Sequence, residues 1–347
     1  MPVIWLIDAY RAGERNQVRA LVEELGWPCE IRRLEYRKLV VLPHVLGQAS
    51  LRGLTPASAA TLKAPWPDLV ISSGVRNEPV CRWIRAASGG RTRYVHVGKP
   101  WGALSGFDLL ITTPQYRVPR RANVLNNTLT LHSVSAQRLA AARERWAATF
   151  ADLPRPRIAV ITGGDSGPFT FGPRAATRLA RQASILARQG GGSLLVSTSS
   201  RTSEAAIQAL QASIDVPHYF YRWQPDDPDN PYFGILAIAD RLVVTGDSIA
   251  MLSEACATGR PVQIFDLGGM RGETQSIADF RFGGMLYAFL LRWLWRPLSR
   301  DITLVHSQLR TTNRAFWLDE EFGASVVPGE SDMQRAVAAV KGLLGES

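Results

Sequence analysis

The sequence predicts an α/β protein made of two Rossmann-like, doubly wound domains facing each other across a cleft. Three observations lead there. Short apolar runs alternate with stretches of helical period along nearly the whole chain. The alternation stops at Ala151-Asp-Leu-Pro-Arg-Pro-Arg157, where two prolines keep the chain extended, and restarts directly afterwards. A length of 347 residues is too great for one average domain and suits two. The expected boundaries are an N-terminal domain over 1–150, a linker over 151–156, a C-terminal domain over 157–280, and a helical tail over 281–347 that packs back across both.

The first half opens on Val3–Asp8, a buried strand of the parallel type. A loop follows, and Asn16 can cap a helix that runs to Leu25. Cys29–Leu34 reads as a second strand. Residues 37–64 are broken by Pro43, Gly47 and Gly53, so short helices are expected there. Asp68–Gly74 is a strand ending in a glycine turn, and Pro79–Ala87 is a helix with Trp83 and Ile84 inward. Arg93–Val97, Asp108–Thr112 and Ala122–Leu125 complete the strands, and Val134–Phe150 is a helix.

In the second half, Ile158–Thr162 runs into Gly163-Gly-Asp-Ser-Gly167, and Pro173 opens a helix to Gln189. Ser193–Val196 ends in the hydroxyl-rich Ser197–Ser203, followed by a helix to Ile214. His218–Tyr221 is a strand, and Asn230-Pro231 starts a helix to Ala239. Leu242–Val244 and Val262–Phe265 are strands around a helix that Asp247 or Ser248 can cap and Gly259 can end. Residues 330–345 form a last amphipathic helix.

Composition narrows the function. The hydrophobic content of 46% and charged content of 20% are those of a globular chain with sizeable cores. No apolar run reaches the ~18 residues of a membrane span. The opening apolar run is too short and too soon acidic for a signal peptide. Three scattered cysteines read as reduced core residues, which points to a cytoplasmic protein. Five dispersed histidines give no metal-ligand spacing, so no metal is expected. The net charge of +10 suggests an anionic partner. The basic residues form no block and no stacking platform, which argues against nucleic acid.

The chemistry concentrates on three loops of the second half: Gly163–Gly167, Ser197–Ser203 and Thr245–Ser248. In a parallel sheet they open on one edge and converge. Gly163 and Gly164 let backbone approach a ligand, and hydroxyls at Ser199 and Ser248 can donate to phosphate. Arg201 can pair with phosphate bidentately. The helix after Asp247 points its N-terminus out of the same edge, where phosphates settle. Glu254 lies two turns further along that helix, roughly 10 Å at 1.5 Å per residue. That is about the span from a diphosphate to a ribose, so dipole and hydroxyls would take phosphate and Glu254 the ribose. The plainer reading is an ordinary βαβ unit with glycine and serine at its turns. The absence of a lysine after the glycines disfavours P-loop chemistry, and the first strand lacks a Gly-x-Gly-x-x-Gly for a dinucleotide. In the first half, Glu14 on the first strand–helix loop can accept a proton from an acceptor hydroxyl, or simply favour the helix N-terminus. Arg76 and Lys99 can bind an acidic acceptor or be solvated.

The run Val244-Thr-Gly-Asp-Ser-Ile-Ala-Met-Leu-Ser-Glu-Ala-Cys-Ala-Thr-Gly-Arg-Pro-Val262 resembles the signature of the elongated-mitochondria fission protein family. Gly163-Gly164, Ser199–Thr202, Asn230-Pro-Tyr232, Phe107–Pro114 and the Asp8…Gly13…Gln17 opening resemble it too. The sequence departs at Glu14, where the family tends to carry histidine, and at Ser200, where it tends to carry a second arginine. That family is similar to GT-B glycosyltransferases. The resemblance implies an inverting transferase that needs no metal or other cofactor and takes a nucleotide sugar as co-substrate. Its C-terminal domain would hold the donor through Gly163, Gly164, Ser199, Arg201, Asn230, Thr245, Asp247, Ser248 and Glu254. Its N-terminal domain would hold a glycan or membrane glycolipid acceptor through Arg76 and Lys99, with Glu14 as base. The alternative is a non-catalytic, membrane-associated interaction protein, as the plant members imply. Phe280–Arg296, rich in tryptophan and arginine, suits the anionic inner face of a membrane, or a helix packed across the two domains.

Overall fold

The computed structural model describes residues 1–37, 49–271, 279, 281–293, 300–320 and 329–345. The chain divides into two compact units, Met1–Ser133 with Gly329–Ser347, and Val134–Pro328. Each is a doubly wound α/β unit on a parallel sheet of six strands.

The first unit runs β1 (Ile4–Ile7), α1 (Ala12–Leu25), β2 (Cys29–Arg32), α2 (Pro56–Ala60), β3 (Leu69–Ser73), α3 (Glu78–Ala87), β4 (Arg93–Val97), β5 (Leu109–Thr112) and β6 (Val124–Asn126). The sheet order is β2-β1-β3-β4-β5-β6. β1 and β3 are buried along their whole length, as their unbroken apolar runs require. One face of the sheet packs Ile4, Leu6, Ile71 and Val95 against Val18 and Leu21 of α1. The other packs Trp5, Ile7 and Val70 against Val80 and Ile84.

The first helix starts at Ala12, four residues before the expected Asn16 cap. The arginines of its first two turns explain the early start. Arg15 Nε donates to the Ala9 carbonyl at 3.1 Å, and Arg19 Nη2 lies 2.8 Å from Asp8 Oδ2. Both reach back to the end of β1 only from a helix already formed at that point. Of the segment read as short helices, α2 is a helix, capped by Thr55. Residues 38–48 lie outside the described residues.

The second unit runs α4 (Ala136–Trp146), β7 (Arg157–Ile161), α5 (Pro173–Gln189), β8 (Ser193–Ser197), α6 (Glu204–Ala212), β9 (His218–Tyr221), α7 (Tyr232–Ile238), β10 (Arg241–Thr245), α8 (Ile249–Ala257), β11 (Val262–Phe265), α9 (Phe282–Trp293), α10 (Thr303–Thr311) and β12 (Phe316–Trp317). The order is β12-β11-β10-β7-β8-β9. α4, which the sequence reading placed in the N-terminal domain, groups with this unit. The cause is local packing: Trp146 lies so close over Gly234 that a Cβ there would meet its ring at 2.4 Å. The two-residue β12 carries no sequence signal of its own.

The last helix, α11 (Asp332–Leu343), returns to the first unit. Ser331 and Gln334 form a capping box at its start. The Asp332 carboxylate accepts the amides of Thr128 and Leu129, each at 3.0 Å.

Both sheets reverse their winding direction at one place. In the first unit this lies between β1 and β3, in the second between β7 and β10. At such a switch point the two neighbouring connections leave the sheet on opposite faces. A crevice opens between them at the carboxyl ends of the strands. The loops after β7 and β10 are Gly163–Gly167 and Gly246–Ser248. The loop after β1 leads into the first turn of α1, which carries Glu14, and the loop after β3 carries Gly74.

Candidate functional site

In the second unit the three candidate loops do converge, and they are tied by direct bonds. The Gly163 amide donates to Thr245 Oγ1 at 2.7 Å, and the Gly164 amide to Asp247 Oδ2 at 3.0 Å. Ser199 Oγ donates to the Gly163 carbonyl at 2.9 Å, and Thr202 Oγ1 to the same carbonyl at 2.5 Å. Arg201 Nη2 pairs with Asp247 Oδ2 at 2.8 Å.

The glycines are required by this closeness. A Cβ on Gly163 would sit 2.2 Å from Asp247 Oδ2, and one on Gly164 would sit 2.0 Å from the Arg201 carbonyl. Their amides are engaged between loops rather than left facing outward. Asp247 is buried, with its carboxylate turned into the loop junction rather than capping α8. Burial pushes its pKa up, opposed by the Arg201 charge and the Gly164 amide. Ser248 is the N-cap residue of α8, but its side chain makes no capping bond. Arg201 is part-exposed beyond its pair with Asp247, so one edge of its guanidinium can reach a ligand anion.

Glu254 lies within α8 and meets the first residue of α7. Tyr232 donates its hydroxyl to Glu254 Oε2 at 2.5 Å. Burial raises the Glu254 pKa to about 7, and the Tyr232 bond only partly offsets this. Asn230 accepts the Tyr232 amide through Oδ1 at 3.0 Å, which fixes the start of α7 and with it the Tyr232 ring. Asn230 thus meets Glu254 through Tyr232.

His306 on α10 is a residue that no sequence spacing points to. Its Nε2 lies 2.7 Å from the Gly246 carbonyl, so it carries the proton there and donates it. It is buried, and burial pushes its pKa down to about 4, against the Gly246 bond and the charges of Asp266 and Asp301. The unfolded imidazole takes up a proton near its ordinary 6.5, whereas the folded one resists until about 4. Stability contributed by neutral His306 is therefore full above pH 6.5 and lost as the pH falls towards 4. His306→Gln is expected to flatten that part of the stability curve by about 2–3 kcal/mol. Urea unfolding of both proteins across this range measures it, and parallel curves would remove His306 from the account.

In the first unit, Glu14 stands in the first turn of α1 rather than on the preceding loop. Its Oε2 lies 2.8 Å from where a Cβ on Gly74 would be, and Gly74 has φ +85°, a conformation suited to glycine. Glu14 therefore sits at the switch point of its own sheet, against the turn after β3. Arg11 lies 3.8 Å away on the same turn. The Arg76 guanidinium stacks over Tyr10 at 4.9 Å, and Lys99 Nζ lies 5.5 Å from the Trp101 ring. Burial lowers the Lys99 pKa. Glu14 and Gly74 are thus brought together, while Arg76 and Lys99 each rest on a separate aromatic ring.

Among the described residues no three His, Cys, Asp or Glu side chains gather as a metal ion would need. No described helix is long and apolar enough to cross a membrane.

Two doubly wound units, each with its residues of interest at the switch point, are the plan of the GT-B glycosyltransferase fold. The glycosyltransferase SnogD from Streptomyces nogalater has this fold: it matches with a TM-score of 0.50 at 12% identity, over 99% of this chain and 95% of that one. Within that fold the chain belongs to the mitochondrial fission ELM1 family, whose model matches residues 12–315. The mitochondrial fission protein ELM1 of Arabidopsis thaliana is 27% identical over 240 residues, 62% of this chain and 56% of its own. The chain thus spans about half the length of that relative. An uncharacterised protein of Rickettsia prowazekii is 24% identical over 294 residues, 76% of this chain and 82% of its own.

Proposed function

We propose that this protein is an inverting, metal-independent glycosyltransferase whose second unit binds a nucleotide sugar. The observation that carries the reading is the loop junction at the β7/β10 switch point, with Arg201 at its edge and Glu254 on the adjoining helix. The N-terminus of α8 and Arg201 would stabilise the diphosphate, and Glu254 would accept hydrogen bonds from the ribose hydroxyls. Ser199 and Thr245 would hold the loops in place rather than touch phosphate, because their hydroxyls already bond within the junction, and the Asp247 carboxylate would do so through Oδ2 and would repel a phosphate. Asn230 would orient Tyr232, and through it Glu254.

In the transfer itself, an acceptor hydroxyl oxygen would attack the anomeric carbon as the bond to the diphosphate oxygen breaks. Glu14 would take the hydroxyl proton, and the leaving diphosphate would carry away the electron pair. Arg76 and Lys99 would attract an anionic acceptor such as a glycolipid.

Calorimetric titration with UDP, GDP and CMP in the presence of EDTA tests the donor site. At least one is expected to bind, and no heat from any of them would overturn the reading. Once a donor is found, Glu14→Gln is expected to lower turnover by roughly 100-fold or more while leaving nucleotide affinity unchanged. Unchanged turnover would remove Glu14 from the chemistry.

A further inference from the structure

A small cleft lies in the first unit at the carboxyl ends of β4, β5 and β6. Its lining includes Gly98 after β4, Thr112 at the end of β5, Thr113 beyond it, Asn127 after β6 and Gln17 of α1. Its volume is about 10 Å³, room for one water-sized group. A cleft of this size admits a single hydroxyl and not a whole ring.

Several polar groups of the lining are already engaged. Gln17 Nε2 donates to the Gly13 carbonyl at 3.0 Å, and Thr113 Oγ1 accepts from Gln115 Nε2 at 2.9 Å. Asn127 donates through Nδ2 to the Asp332 carbonyl at 3.2 Å and accepts Arg335 Nη2 through Oδ1 at 2.9 Å. Thr112 is different. It is 2% exposed, and its hydroxyl has no hydrogen-bond partner among the described residues. Such a hydroxyl has given up water without gaining a protein partner, which destabilises the free protein. A ligand hydroxyl would supply the missing partner, because it can both donate and accept.

Charge narrows the ligand. Among the described residues no Asp, Glu, Lys, Arg or His side chain lines the cleft. The guanidinium of Arg335 is spent on Asn127, the Asn126 carbonyl and Asp332. An anionic group would enter without a counter-charge, whereas a neutral hydroxyl needs none. Position narrows it further. Gln17 stands three residues after Glu14 on α1, a spacing that leaves neighbouring side chains about 5–6 Å apart. A molecule with one hydroxyl in the cleft and another at Glu14 must be polyhydroxylated, as a saccharide is.

We propose that this cleft binds one neutral hydroxyl of a saccharide ring through Thr112, and so selects the acceptor sugar beside Glu14. The inference deepens the acceptor half of the proposed function and rests on that reading for the part of Glu14 alone. Saccharide binding in the cleft requires no nucleotide.

Saturation-transfer NMR of the full chain tests it, with the methyl glycosides of glucose, galactose, mannose and N-acetylglucosamine and no nucleotide. At least one is expected to bind. Thr112→Val should weaken that binding about 10-fold, while Thr112→Ser keeps it within about twofold. Valine also removes the stranded hydroxyl at nearly equal shape, so the ligand-free variant should melt at or above the wild-type temperature. No saturation of any of the four glycosides would overturn the proposal. So would undiminished binding by Thr112→Val. A lower melting temperature for that variant would also overturn it, because the hydroxyl would then have a structural partner. A glycoside that binds where no nucleotide does would refute the donor site and leave this one standing.

Discussion

Glu254→Gln is expected to weaken nucleotide binding by roughly 10- to 100-fold while making the protein more stable above pH 7. The two effects have one origin. A half-buried carboxylate whose hydrogen-bond partner among the described residues is the Tyr232 hydroxyl is poorly solvated when charged, which is why its pKa is raised to about 7. The same poorly solvated oxygens make strong acceptors for the hydroxyl pair of a ribose. Between pH 4.5 and about 7 the folded state holds a proton that the unfolded chain has released. Stability therefore declines as the pH rises through this window and levels off above it. The glutamine carries no such cost and still accepts from Tyr232. The difference in unfolding free energy should be near zero at pH 4.5 and grow to about 1–3 kcal/mol at pH 8. Urea denaturation at the two values, paired with calorimetric titration, measures both effects. Unaltered affinity would sink the ribose role, and a variant less stable at pH 8 would contradict the burial argument.

Gly164→Ala is expected to be among the most damaging single methyls in the second unit. Its Cβ would stand 2.0 Å from the Arg201 carbonyl, a backbone atom that cannot rotate aside. The loops after β7 and β8 must then part, and the bond from the Gly164 amide to Asp247 is strained or lost. A cost of about 3 kcal/mol is expected, enough to lower the melting temperature by roughly 6–12 °C. Nucleotide binding should fall with it, because Arg201 is anchored through the same junction. Gly13→Ala is the control. Nothing lies within 4 Å of its Cβ position, and it stands inside α1, where alanine is the better helix former. Equal melting temperatures for the two variants would show that the loop junction is looser than described.

Much of the fold was legible from residue pattern. The alternation of β7 to β11 with its helices followed from apolar runs of four or five residues and their flanking glycines and prolines. The convergence of the three loops followed from parallelism alone, since parallel strands open every βα loop on one edge. The sequence places the cap of α1 five residues late, at Asn16 rather than Arg11, because the arginines that fix the helix start bond to Asp8 and Ala9 just past β1. α4 was read into the wrong half of the chain pattern, because its Trp146 is placed by Gly234, far along the sequence.

The site divides along the same line. The sequence by itself determined which strands exist, which loops share an edge, and that a carboxylate stands two helical turns beyond Asp247. Those facts depend on period, which each segment carries within itself. Only the tertiary structure decided that Asp247 turns inward to Gly164 and Arg201, that Tyr232 holds Glu254, and that His306 fixes the Gly246 carbonyl. These partners stand 83, 22 and 60 residues apart for Gly164, Glu254 and Gly246. Hydrophobic period reports which way a side chain faces within its own element. Which polar group meets it there is set by how separate elements are laid side by side, and no local pattern encodes that.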